Sequence, residues 1–199
     1  MSKLDHDLIV DEAVRMIEAD GEAGLSMRSL AAGLNVTPMA LYRYFADRDA
    51  LLLALVVRVS ETLEFPERTS DPRADAVALA LTLHDFLALH PWMIRLISTG
   101  RLASPAGMRF PEGFLDCAAA AGLDDERAFL FYRTMLAAIL GAATITSAAP
   151  VGAPSSLPDT SAVGPLPRVT GLASRWTELD RAATPAAILT AIAATLPAS

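Results

Sequence analysis

Apolar residues recur every three to four positions along most of this chain, and no useful stretch alternates apolar with polar. The pattern predicts helices throughout. Ile9, Val10, Ala13, Val14, Met16 and Ile17 form one face of a helix over 5–19, with acids opposite and Gly21 and Gly24 ending it. Two short segments follow. The first opens on Ser26, a good N-cap, carries Leu30, Ala31 and Leu34 on one face, and stops at Asn35, which tolerates a left-handed turn. The second begins at Thr37-Pro38, with Pro38 suited to the first helical position, and points Leu41 and Phe45 inward. Asp47 then caps a long helix to about Leu63, with Leu51, Leu52, Leu55, Val56, Val59 and Leu63 inward.

Further on, Pro72 starts a helix to about Leu89, expected to bury Val77, Leu81, His84 or Asp85, and Ala88. Pro91 starts a short helix to Ser98, 100–107 is a loop, and 111–121 is helical up to Gly122. Asp124 caps 125–148, expected to bury Phe129, Tyr132, Leu136, Ile139 and Ala143. The Pro-, Gly- and Ser-rich stretch 150–167 reads as a mobile loop. Residues 168–181 stay open between loop and short helix, and the last helix runs from Pro185 to near Leu196.

Two helices of under ten residues around a tight turn read as a helix-turn-helix, whose second helix enters the DNA major groove. Over LSMRSLAAGLNVTPMALYRYFADRDALL the chain resembles the amino-terminal signature of the TetR (tetracycline-repressor-like) transcriptional regulators. The resemblance covers roughly Leu8 to Leu55. Asn35 stands where that family usually has Gly, and Arg48 where it usually has Lys. By the resemblance, Arg28 reaches a base, while Thr37, Tyr44 and Arg48 hold phosphates. Ser26 and Pro38, at the two helix starts, belong to the same contact set. The outward residues add Met39 and Ala40 for thymine methyls, Tyr42 for a phosphate, and Arg43 for guanine or phosphate.

The net charge of −7 looks wrong for a DNA binder, but charge can be segregated. Between Ser26 and Arg48, three arginines against one aspartate leave +2, whereas the first helix is acidic. A single cysteine, Cys117, excludes an intrachain disulfide and fits a reducing, cytoplasmic setting; a buried apolar role is expected for it. The start MSKLDHD gives no expectation of a secretory signal. The apolar run from Met135 to Ile145 is about half of the roughly 20 residues that span a bilayer, so no membrane partner is expected.

The expected fold is all-α: a three-helix helix-turn-helix DNA-binding domain over 1–46 plus a helical ligand-binding and dimerisation domain over 47–199, linked by the helix 47–63. The resemblance implies a ligand pocket in the second domain, for which the candidate liners are His84, Phe86, His90, Trp92, Met93, Phe110, Phe114, Tyr132, Met135 and Trp176. His84 and His90 lack metal-ligand spacing, and neither a phosphate loop nor a catalytic motif is present, so no cofactor is expected. The expected partners are a double-stranded DNA operator, a small apolar or aromatic effector, and a second copy of the chain. The homodimer would form through the helix 125–148 and the last helix. The function implied is a one-component repressor released from a palindromic operator. Two rivals remain. One is a ligand-independent dimer or activator whose second domain only dimerises. The other is an enzyme built on the scattered His84, Asp85, His90 and Asp116.

Overall fold

A computed structural model describes residues 4–99, 104–148 and 165–197. Among them the secondary structure is helical, without strands. Asp5 caps α1 (His6–Gly24), its carboxylate accepting the Leu8 N–H at 2.9 Å. α1 outlasts the expected end at Ala19. Gly21 bends it instead of stopping it, taking φ 69°, a value glycine adopts without steric cost. α2 (Met27–Gly33) opens on a capping box: Ser29 N–H donates to Ser26 Oγ at 3.0 Å, and Ser26 N–H to Ser29 Oγ at 2.9 Å. Asn35 closes the turn at φ 56°, and Val36 N–H reaches the Ala31 carbonyl at 2.9 Å. α3 (Pro38–Leu41) is a single regular turn continued by looser turns to Tyr44. α4 (Arg48–Ser60) is capped by Asp47 through Ala50 N–H at 2.8 Å, and stops one turn short of Leu63.

Ile9, Ala13, Ile17, Leu30, Leu41 and Leu51 are buried together and hold α1–α4 as one unit. Burying each of the larger side chains, Leu, Ile or Phe, is worth about 1.5–3 kcal/mol, so α3, too short to stand alone, is held by Leu41 and Phe45.

The second region is built around α5 (Pro72–Leu89), which packs on α7 (Arg109–Ala120), α8 (Asp125–Ala148) and α11 (Pro185–Ala193). Its deepest residues are Ala76, Ala80, Leu83 and Leu87, not the expected Val77, Leu81 and Ala88, which are only half-buried. His84 is buried and Asp85 exposed. α6 (Pro91–Ser98) follows a sharp turn at His90. On α8 the buried stripe is Ala128, Phe131, Met135, Ile139 and Ala143: Ile139 and Ala143 are buried as expected, whereas Phe131 and Met135 lie deeper than the expected Tyr132 and Leu136, which are half-buried. Phe129 faces outward, 56% exposed. Both errors have one cause: a helix apolar on several sides has no single face for the pattern to mark. The ambiguous stretch resolves into α9 (Pro167–Leu172), a 3-10 turn at Ala173–Arg175, and α10 (Trp176–Ala182). After α11, Leu196 is buried, and its carbonyl accepts from Arg73 Nε at 2.9 Å. Ile188 is 40% exposed.

α8 is long and apolar enough to cross a membrane, although a third of its apolar window is buried against other helices. The expected loop 150–167 lies, apart from 165–167, outside the described residues, as do 100–103 of the loop 100–107.

Candidate nucleic-acid interface and cavity

Ser26, Arg28, Thr37, Pro38, Met39, Tyr42 and Arg43 are exposed, and Ala40 is half-buried. Met39 is 73% exposed and Tyr42 47%, a degree of solvent contact that folding alone does not favour for such side chains. The backbone turn at Asn35 and the Leu41–Phe45 anchor position this face. Thr37 starts α3 without a side-chain cap bond, so its hydroxyl is not used for capping. Among the described residues, Arg28 and Arg43 have no carboxylate partner.

Two expected phosphate holders are already engaged within the protein. Arg48 donates to the Leu25 carbonyl (3.3 Å), the Glu22 carbonyl (3.1 Å) and the Glu22 carboxylate (3.2 Å). The Tyr44 hydroxyl donates to the Leu4 carbonyl at 2.7 Å. Tyr44 therefore ties the start of the chain to the end of α3, and Arg48 ties α4 to the end of α1. The partners lie 23 to 40 residues away, beyond the reach of local pattern.

Four acids of α1 engage side chains of other elements. Asp7 and Asp11 hold Arg58 of α4 at 2.7 and 2.5 Å. Glu18 accepts from His90 Nδ1 at 2.7 Å and from the Trp92 indole N–H at 2.9 Å. Glu22 accepts from Arg95 Nε at 2.9 Å as well as from Arg48. The Arg95 guanidinium, and secondarily Arg48, hold the Glu22 carboxyl below the usual carboxylate range against the opposing effect of its burial. Glu18 and Glu22 thus form a polar latch between α1 and α6, with Arg48 of α4 joined to it.

α6 also faces a cavity. A space of about 210 Å³ lies between α4, α5, α6, α7 and α8, reached by Val56, Ser60 and Leu63 from the α4 end and by Met93 and Ile97 from α6. Of the ten anticipated liners, Phe86, Met93, Phe110, Phe114 and Tyr132 lie on its wall. The other five do not. His84 contacts Asp85 at 2.8 Å and Thr146 at 3.3 Å. His90 and Trp92 belong to the latch, and Met135 is fully buried in the core. Trp176 sits half-buried on α10, away from the cavity wall. Sequence reasoning missed Ser60, Ser104 and Arg133 on the cavity wall. Ser60, a polar residue among the apolar positions of α4, was the available signal. A second, more polar recess of about 420 Å³ lies at the ends of α5 and α7, bounded by Arg68, Asp75, Arg109 and Asp116.

Residues 9–55 match the family model described as bacterial regulatory proteins of the tetR family, and residues 65–163 match that of the tetracyclin repressor-like C-terminal domain. The chain belongs to the TetR family. Of similar curated proteins, the HTH-type transcriptional repressor DrrR1 of Streptomyces coeruleorubidus is 33% identical over 121 residues, 60% of this chain and 45% of the relative. An HTH-type transcriptional regulator of Saccharopolyspora erythraea is 36% identical over 120 residues, 60% and 51% of the two chains. The chain spans about half the length of these curated relatives. Among solved structures, the TetR family protein ActR of Streptomyces coelicolor in complex with actinorhodin is 27% identical, with a TM-score of 0.77 over 98% of this chain and 96% of that one. BioQ with its double-stranded DNA operator is 28% identical, with a TM-score of 0.65 over 73% and 88%. The all-α architecture of a helix-turn-helix unit plus a helical second domain is the one this TetR family shares.

Proposed function

We propose that this TetR-family chain is a DNA-binding transcriptional repressor, released from a palindromic operator when a small apolar or aromatic molecule fills the cavity. The observation that carries the reading is α6. Its Met93 and Ile97 line the cavity, and the same short helix, with the His90 before it, binds α1 through His90, Trp92 and Arg95. A ligand that displaces α6 therefore acts directly on the helix that braces the reading head, and α4 transmits the same displacement through Arg48. This is a population shift, so the ligand must bind the DNA-free arrangement more tightly.

On the DNA side, Arg28, Thr37, Met39, Tyr42 and Arg43 form the contact set, with Ser26, Pro38 and Ala40 at its edges. Arg48 and Tyr44 act by holding the head in shape. The homodimer uses the outer face of α8 with α11: Leu130 is 67% and Ile145 71% exposed, and Gly141 between them faces open space. Two heads related by two-fold symmetry then read two half-sites about one helical turn apart. Such DNA-binding work places the protein in the cytoplasm.

The test is selection of DNA from a random library by the full chain, followed by gel-shift titration. An inverted repeat bound by a dimer is the expected result. Absence of any enriched sequence would overturn the reading.

A further inference from the structure

The polar chemistry of the α4–α8 cavity is one-sided. Among the described residues its walls are aromatic and aliphatic, and its polar side chains are Ser60, Ser104, Tyr132 and Arg133, without a carboxylate. The Ser104 hydroxyl donates to Ser60 Oγ at 3.0 Å, and Ser104 Oγ accepts the Gly107 N–H at 3.0 Å. The Ser60 hydroxyl proton has no acceptor among the described residues. Tyr132 and Arg133 make no hydrogen bond or ion pair among them either. Each of these groups can donate; the two hydroxyls can also accept, whereas the charged group is a guanidinium, which cannot.

A cationic ligand would meet the charge of Arg133 with nothing to balance it. A plain hydrocarbon would leave the donors unused. An apolar body bearing an anionic acceptor matches both halves of the site.

We infer that the cavity selects aromatic or apolar organic acids, with the body among Phe86, Phe110 and Phe114 and the anionic group at the mouth on Arg133 and the Tyr132 hydroxyl. This deepens the proposed function and rests on the cavity being the effector site. Arg133 is solvent-exposed, so its ion pair is partly screened and its effect is modest.

The test compares two probes sharing one ring body: 8-anilinonaphthalene-1-sulfonate, which is anionic, and N-phenyl-1-naphthylamine, which is neutral. Both are titrated by fluorescence into the full chain. Arg133→Met should weaken the sulfonate by roughly fivefold and leave the amine within twofold, with the difference shrinking in high salt. Arg133→Lys should retain part of the preference. Equal changes for the two probes would overturn the acid preference. Leu136→Trp, or Leu136→Phe where the larger ring disrupts folding, narrows the cavity and should abolish both signals. If both signals survive there, or neither probe binds the wild-type chain, the cavity is not the effector site and the underlying reading falls as well.

Discussion

The arginines of the reading head and those of the latch sit within one small region but are used in opposite ways. Arg28 and Arg43 are exposed and have no carboxylate partner among the described residues. Arg48, Arg58 and Arg95 are each held by carboxylates of α1. The comparison explains how a chain of net charge −7 can present the proposed DNA-facing surface. Asp7, Asp11, Glu18 and Glu22 of α1 are engaged by groups of α4 and of α6 with the His90 before it, three of them arginines, whereas Arg28 on α2 and Arg43 just after α3 are left facing outward. Net charge sums over the whole chain, while binding depends on the charge of one face.

The sharpest way to break the comparison is at the head. Tyr42→Ala with Arg43→Ala should weaken operator binding by more than about tenfold, each contact being worth roughly 1–3 kcal/mol, without changing the melting temperature or the dimer. Unchanged gel-shift affinity would remove α3 from the interface. Next comes the latch. Glu22→Ala removes the acceptor shared by Arg48 and Arg95 and should cost about 1–2 kcal/mol in urea unfolding, because Arg48 is left half-buried without its carboxylate. A neutral result would mean that the Glu22 half of the latch contributes nothing to the fold. Arg48→Ala separates the two uses more finely: stability should fall by about 1 kcal/mol while the salt dependence of DNA binding stays the same. A reduced salt slope would make Arg48 a phosphate contact after all.

Acid should act on the latch in a fixed direction. Glu22 has a lowered carboxyl pKa in the folded chain, so the unfolded chain binds its proton more readily. The contribution is complete above the ordinary glutamate range and is lost as pH falls through that range toward the lowered value. The wild-type chain should therefore lose stability more steeply than Glu22→Gln in acid titrations followed by circular dichroism. The smallest effect concerns Cys117: buried, with burial pushing its thiol pKa up, it should react slowly with iodoacetamide in the native chain.

The sequence was most legible where structure is made locally. Ser26, Asp47 and Asp124 cap helices through side-chain bonds to the N–H three residues on, so the chemistry and its effect lie close together along the chain. Asn35 at φ 56° belongs with them. The resemblance carried the head, and the five aromatic and Met residues on the cavity wall followed from clustering. What could not be read depends on distance or on symmetry of pattern. Glu18 meets Trp92 across 74 residues, which turned an expected ligand contact into a latch. α5 and α8 are apolar nearly all round, so their true buried stripes had no contrast against the rest. Arg133 carries no local mark in the sequence that a cavity opens beside it.

The claim on which the rest depends is that filling the cavity changes the head. Its direct measurement is the operator affinity of the full chain by fluorescence anisotropy, with and without a saturating aromatic acid shown to occupy the cavity. Coupling of about 1–3 kcal/mol is expected, a fall in affinity of roughly fivefold to a hundredfold. An affinity unchanged within twofold while the cavity is full would contradict it.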